Sequence, residues 1–514
     1  MVPAAVAASA ERQPRAWFGR TVALLLIMLP PAAHSHQAAF DTALATRVFS
    51  AAFTFMAPRT LVAVALPQLC AWGLHGITAL DPALSADLEH GAILLTRNGR
   101  KISQFSLPAD DDFSGWAELV AAVNQAAFAR SAALRRAGSQ GAVESFFDEV
   151  FNHLDPYSRY EPPREAITER DWREGASGIG VALSAQNGRL FISGIVPQSP
   201  ADLAGLAPGE ELVAIDNWSL HNADLDQVLN ALAGPPGSTV RATLHLRDRV
   251  RTLTLTRADV PADTVASGID QGVLVLRITG FTASTAPLIQ AALSSAMAAR
   301  PELSGFVMDL RGNRGGLLRE AVAAANLLLS RGVIATTLGR APQAQHQWIA
   351  HGPDLALGLP IVVLVDGRTA SAAEILAAAL SDDGRAVVVG SSTFGKGLVQ
   401  AIAPMPDGGE LFITWSRVIA PDGWPLQGLG VMPEACTSLG EDDTRRQLDA
   451  LAHGHSLGSQ RIALHRSARV NTPLAEILAI RNTCPADLGH AGDLDVAKFL
   501  INNPLAYAAA LAPL

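Results

Sequence analysis

The chain has 514 residues, more than a single hydrophobic core organises, and roughly 100–200 residues per domain gives an expectation of three or four units. Apolar residues make up 49% and charged residues 17%, which excludes an intrinsically disordered chain. Acidic residues outnumber basic ones 48 to 39 with no Lys/Arg cluster, which argues against nucleic acid as the main partner, while the mild negative charge points to no substrate.

Residues 1–35 read as a secretory signal. Arg12, Arg15 and Arg20 form a basic lead, 22–29 (VALLLIML) is apolar, and small residues follow. A cut after Ser35 places Ala33 and Ser35 where a signal peptidase prefers small side chains. The apolar run falls short of the ~20 residues that span a bilayer, so no stable membrane span and an exported location, periplasmic or extracellular, are expected.

Residues 36–165 read as mostly helical, with apolar spacing of helical type over 42–66 and 116–153. Pro58 interrupts the first stretch, and Asn98-Gly99 predicts a tight hairpin between them. The turn-rich LDPYSRYEPP (154–163) marks a boundary.

Residues 166–258 change character. Short strands are expected at 181–183, 190–195, 211–215, 240–246 and 250–256, with helices at 199–206 and 222–232, the latter presenting Leu225, Val228, Leu229 and Leu232 on one face. This content suggests a small, partly open barrel. Residues 259–435 alternate strand (273–278, 306–310, 361–365, 387–389, 411–418) with helix (286–299, 317–329, 372–380), which predicts an α/β core with strands buried on both faces. Residues 436–514 read as helical and more polar.

Three segments of the α/β region can carry chemistry. In IVVLVDGRTASAAEILAAAL (361–380), a buried strand turns into a helix at Ser371, so its hydroxyl sits beside unpaired amides that favour negative charge. The Ala372 amide is placed to bind an oxyanion there, although Ser371 or Thr369 as a plain N-cap fits the same segment. In SSTFGKGLVQAI (391–402), Lys396 stands between Gly395 and Gly397. A lysine acts as a base near neutral pH only when burial lowers its pKa, and Phe394, Leu398 and Val399 offer apolar surroundings. Gln400 is spaced to orient Lys396 or the serine. In FVMDLRGNRGGLLREAVAAANLLL (306–329), a glycine-rich turn presents amides to an anion, with Gly315 the expected second oxyanion donor and Gly316 the next. Phosphate binding competes for such a turn, but no GxxxxGK[ST] is present.

Cys70, Cys436 and Cys484 form no zinc-like spacing with histidine, and neither metal nor cofactor is expected. Pairing Cys436 with Cys484 would staple the C-terminal region to the core, and three buried thiols is the alternative.

Taken in order, DLRGNRGG (309–316), DGRTASAAEI (366–375), TFGKGLVQ (393–400) and PLQGLGVMPE (425–434) resemble the carboxyl-terminal processing peptidase family. LDPYSRY (154–160) resembles the motif that family carries before its PDZ domain, so the likeness spans about residues 140–435. The resemblance implies a multidomain α+β protein. Its parts would be a crotonase/ClpP-like α/β protease core, an inserted PDZ-like β-barrel, and helical N- and C-terminal regions. It implies Ser371 as nucleophile, Lys396 as general base, Gln400 as support, Gly315 in the oxyanion hole, and Gly178, Ile179, Gly180 and Val181 as the PDZ carboxylate-binding loop. Glu374 matches the acid of the serine motif, in a structural role. Expected partners are proteins or peptides with apolar C-terminal tails. Arg314 replaces the family's small residue, and Glu434 replaces an aspartate. The rival readings are an inactive tail-binding scaffold, a Ser-His-Asp hydrolase drawing on His153, His346 or His351, and an acyl-CoA enzyme.

Overall fold

In the strands Gly305–Asp309, Ile361–Val365 and Val387–Gly390 every residue is buried, a pattern that requires both sheet faces to be covered. Because side chains alternate along a strand, Phe306, Met308, Val363 and Val388 point to one face and Val307, Val362, Leu364 and Val389 to the other. The first face packs on Ile289, Leu293 and Leu376 from the helices Thr285–Ala299 and Ala372–Asp382. The second packs on Leu451, Val496, Leu500 and Ile501 from Glu441–Ala452 and Gly492–Asn502. Each fully buried aliphatic side chain contributes about 1.5–3 kcal/mol, so the C-terminal helices are half of what makes this sheet an interior.

The computed structural model describes residues 39–511 apart from 197–198, 247–248, 261 and 301 and the side chain of residue 226. The expected signal at 1–35 lies outside the described residues. Among those described, no helix is long and apolar enough to cross a membrane.

The main sheet runs Val265–Asp270, Val273–Ile278, Gly305–Asp309, Ile361–Val365, Val387–Gly390, Ala435–Cys436, with the first pair antiparallel and the rest parallel. One expectation fails here. The strand expected at 411–418 is Glu410–Ile419, and it does not join the parallel sheet. It pairs antiparallel with Leu398–Pro404 and Val333–Gly339 in a second sheet, which His346–Ile349 and Arg159–Glu161 extend. The short turn 405–409 returns the chain directly and leaves no crossover helix, which a parallel pairing needs.

The N-terminal region is helical around a hairpin, as expected. Thr42–Met56 stops just before Pro58, and Asn98-Gly99, both at positive φ, joins Ala92–Arg97 to Arg100–Ser106. The single helix expected at 116–153 is two, Phe113–Arg130 and Ala132–Asn152, because extended Ser131 ends the first and caps the second through the Leu134 N–H.

Residues 176–260 form an antiparallel ladder in the order Arg249–Thr256, Thr239–Leu246, Glu211–Ile215, Arg189–Ile195, Val181–Gln186, with Trp218–Ser219 beside the third. Among the described residues no pairing joins its two ends, so the ladder is open rather than a closed barrel. The helix Leu225–Leu232 buries Val228 and Leu232 but leaves Leu229 39% exposed, so the expected apolar face is narrower by one position. Ala176–Gly178 and Ala258–Val260, where the chain enters and leaves this module, pair with each other.

Candidate active site

The strand Ile361–Val365 delivers the chain to a turn organised by Asp366. One carboxylate oxygen of this buried residue accepts the N–H groups of Gly312, Arg368 and Thr369 at 2.9 Å each. The Thr369 hydroxyl donates to the Leu310 carbonyl at 2.9 Å, and the Ala370 N–H donates to the Asn313 carbonyl at 2.9 Å. The serine turn and the glycine-rich turn are therefore one knitted unit. Ser371 follows with φ 57° and ψ −119°, a conformation that costs a non-glycine residue about 1–3 kcal/mol and persists only where neighbours over-determine it.

Much of that determination comes from Glu374, fully buried in the first turn of Ala372–Asp382. Its Oε2 accepts the N–H of Ser371 and the N–H of Lys396, both at 2.8 Å, and its Oε1 accepts the Gly395 N–H at 2.7 Å and the Thr393 hydroxyl. One carboxylate thus ties the backbone of the serine to the backbone of the lysine. Burial pushes its carboxyl above the ordinary range, and the donated hydrogen bonds pull against that.

The loop carrying Lys396 lies on the segment 426–430. Gly397 donates to the Gln427 side chain at 2.9 Å, and a Cβ at 397 would sit 2.2 Å from the Gln427 nitrogen, so only glycine fits. Arg481, at the end of Leu474–Arg481, donates to the Thr393 and Leu429 carbonyls at 2.8 and 2.7 Å and clamps the same loop. Cys436 and Cys484 are disulfide-bonded, anchoring the chain just beyond that clamp, and Cys70 is a buried free thiol.

A cleft of about 520 Å³ is lined by Ser371, Ala372, Gly315, Gly316, Lys396 and Gln400, together with Ile375, Leu398, Val399 and Val418. The residues expected to share one chemistry therefore face one space. Lys396 extends its Nζ over the Tyr157 ring, 4.8 Å from the centroid. Its pKa is lowered from the ordinary lysine value, first by burial and then by Arg159, against the pull of Glu374 and Asp155. Phe394 does not line this cleft. It is 53% exposed, while its backbone N–H bonds back to the Thr369 carbonyl at 2.9 Å.

No hydrogen bond joins Ser371 to Lys396 among the described residues. Gln400 bonds neither of them, and its Nε2 donates instead to the Leu398 carbonyl and the Thr414 hydroxyl at 3.1 Å each. Thr414 in turn donates to Asp155 of the LDPYSRY segment at 2.6 Å. Gly315 abuts the serine corner so closely that a Cβ there would lie 2.7 Å from that of Ser371 and 2.9 Å from the Ala372 nitrogen. The Gly315 N–H is taken up by Asn313 Oδ1 at 2.8 Å, whereas the Gly316 N–H has no partner among the described residues. At this turn the N–H left unbonded among the described residues is therefore that of Gly316 and not that of Gly315.

Gly178, Ile179, Gly180 and Val181 lie together at the start of the open ladder and do not line this cleft. Gly180 has φ 80° and packs against Ser199, where a Cβ would approach to 2.2 Å, and Gly178 lies beside the Leu232 carbonyl at the end of the module's helix. His153 stacks on Trp72, His346 packs on Trp348, and none of His153, His346 and His351 lines the cleft that holds Ser371. No grouping of His, Cys, Asp and Glu suited to a metal occurs among the described residues.

Sequence reasoning missed Tyr157, Asp155, Thr414, Thr393 and Arg481. Of these Asp155 left a local trace, as Asp366 did, since Asp two or three residues before its own backbone donors is a turn signal.

A strained serine, a lysine of lowered pKa and, among the described residues, unbonded amides share one cleft, an arrangement of the serine-hydrolase class, and the separate ladder ends in a strand with one edge unpaired among the described residues. Two family models match the chain: peptidase family S41 over residues 272–436 and the PDZ domain over residues 191–244. A carboxy-terminal-processing protease of Bartonella bacilliformis is 31% identical over 300 residues, covering 57% of this chain and 69% of that protein. A carboxyl-terminal-processing protease of Picosynechococcus sp. is 33% identical over 290 residues, covering 54% and 69%. Among solved structures, a photosystem II D1 C-terminal processing protease is 26% identical with TM-score 0.36, covering 72% of this chain and 93% of that one. The chain belongs to peptidase family S41, the carboxyl-terminal processing peptidases, and is a serine-type hydrolase with a PDZ domain.

Proposed function

We propose that this protein is an endopeptidase that cleaves proteins near their C-termini through an acyl-enzyme on Ser371. The observation that carries the reading is the single Glu374 carboxylate holding the Ser371 and Lys396 backbones at the rim of one cleft. Neutral Lys396 swings from Tyr157 to take the Ser371 proton as Oγ attacks the scissile carbonyl. Unbonded amides at resting geometry are no obstacle, because catalytic hydrogen bonds tighten on substrate binding. The oxyanion is held by the Ala372 amide and the glycine turn, with Gly316 the free donor and Gly315 the wall that brings it close. The Lys396 ammonium then protonates the leaving amine, and water hydrolyses the acyl-enzyme by the same cycle. Gln400 supports the site through Thr414 and Asp155.

The PDZ module, residues 166–258, captures the substrate tail. Val181–Gln186 is the terminal strand of the ladder, with one edge unpaired among the described residues, so an apolar tail adds there as a strand while its carboxylate meets the amides of Gly178, Ile179, Gly180 and Val181. Residues 36–165 and 436–514 brace a crotonase/ClpP-like core at 259–435. The Cys436–Cys484 disulfide and the signal-like residues 1–35 support an exported site of action, in the periplasm or outside the cell. A peptide ending in small apolar residues tests the whole reading. Wild type cleaves it, Ser371→Ala and Lys396→Ala bind it without cleavage, and retained cutting by either folded variant overturns the dyad.

A further inference from the structure

The glycine-rich turn carries more positive charge than its surroundings neutralise. Arg311 is paired with Asp309 and Asp493, at 2.8 and 3.1 Å, and Arg277 shares Asp309 at 2.7 Å. Arg368 reaches Asp366 only at 3.8 Å, and one oxygen of that carboxylate already accepts three backbone N–H groups. The Arg277 and Arg368 guanidinium groups converge on Gly312, whose would-be Cβ lies 3.9 and 3.8 Å from them. The last cation of the turn, Arg314, is exposed, lines the cleft with Ser371 and Ala372, and has no ion pair or hydrogen bond among the described residues.

The cleft offers it no counter-charge. Glu169 is the one acidic residue among the described lining residues, and it faces Arg173 at 3.9 Å. Arg159, also in the lining, is paired with Glu161 and stacked 3.9 Å over Phe412. Lys396 works as a neutral amine in the mechanism above. Arg314 is therefore the cation left for the substrate, two residues from the Gly316 amide, and the rest of the lining that meets a peptide here is largely apolar: Trp172, Leu317, Leu318, Ile375 and Ile402.

We propose that Arg314 is a specificity-determining residue that recruits a carboxylate of the substrate lying within a few residues of the scissile bond, supplied by an Asp or Glu side chain or by the chain's own C-terminus. This rests on the cleft of Ser371 being the site of cleavage. A guanidinium at the rim of the cleft donates a two-pronged, charge-assisted hydrogen bond that an apolar or amide group cannot return. Binding of this kind acts mainly on KM.

The test compares three peptides of one apolar sequence: amidated and neutral, amidated with Glu scanned through the two positions on each side of the cut, and neutral with a free C-terminus placed just beyond the cut. In wild type the best carboxylate-bearing peptide exceeds the neutral one in kcat/KM by about tenfold, and the advantage shrinks with added salt. In Arg314→Gln that ratio collapses toward one, and in Arg314→Lys part of it survives. Which peptide carries the advantage identifies the source of the carboxylate. An equal rate on all peptides in wild type, or a ratio unchanged in Arg314→Gln, overturns the proposal. Failure of wild type to cut any peptide overturns the peptidase reading beneath it.

Discussion

The serine corner and the PDZ ladder solve opposite problems. At the corner every strand residue is buried, the turn is strained, and one carboxylate holds four donors, so the backbones of Ser371 and Lys396 are held in fixed geometry. The ladder alternates buried and exposed residues, is stitched by simple antiparallel pairs, and leaves an outer strand with one edge unpaired among the described residues. Chemistry demands fixed geometry, while tail capture demands a vacant backbone edge and tolerance of sequence.

The sharpest way to break this contrast is at the reacting groups. Ser371→Ala and Lys396→Ala each lower kcat by about 10⁴-fold or more in a peptide cleavage assay, with circular dichroism unchanged. The pH profile carries the sign. Lys396 must be neutral to act and its pKa is lowered, so kcat/KM climbs as pH rises through a point below the ordinary lysine value, and that acidic limb vanishes in Lys396→Ala.

Glu374 comes next. Its loss strands the N–H groups of Ser371, Gly395 and Lys396 in a buried space, so Glu374→Ala costs about 3–5 kcal/mol in urea unfolding and at least 100-fold in kcat. A variant that melts like wild type would dissolve the idea of a single organising carboxylate. Reducing or replacing Cys436–Cys484, which closes 48 residues, lowers stability by about 2–4 kcal/mol in the same measurement.

The ladder responds more gently. Gly180→Val meets Ser199 and a positive φ, and raises KM for an apolar-tailed protein about tenfold with kcat held within about threefold. The smallest effect is at His153, His346 and His351, where alanine leaves kcat/KM within about twofold, since none of the three lines the cleft. A large loss at any one of them would reopen a histidine-based mechanism.

Much of this was legible along the chain because it is local. Apolar runs announced the buried strands, Asn98-Gly99 its hairpin, and the flanking glycines the special turn at Lys396. The glycine-rich turn was legible as an amide donor, but the choice between its amides was passed over, although Asn313 two residues before Gly315 is a local signal that its Oδ1 can take the Gly315 N–H. Gln400 was misdirected for a different reason, since its partner Thr414 comes from the neighbouring strand across a register shift.

The sequence by itself determined most element types and the family, and it singled out the turns that carry Ser371 and Lys396. Elements and turns depend on residues within one turn or strand of each other, and the family on the order of several such short segments. Tertiary structure alone decided that Glu374 spans from serine to lysine, that Tyr157 and Arg159 set the surroundings of Lys396, and that the C-terminal helices close the second face of the sheet. Those contacts join residues tens to hundreds of positions apart, and burial with its lost hydration is a property of the packed chain that no local pattern carries.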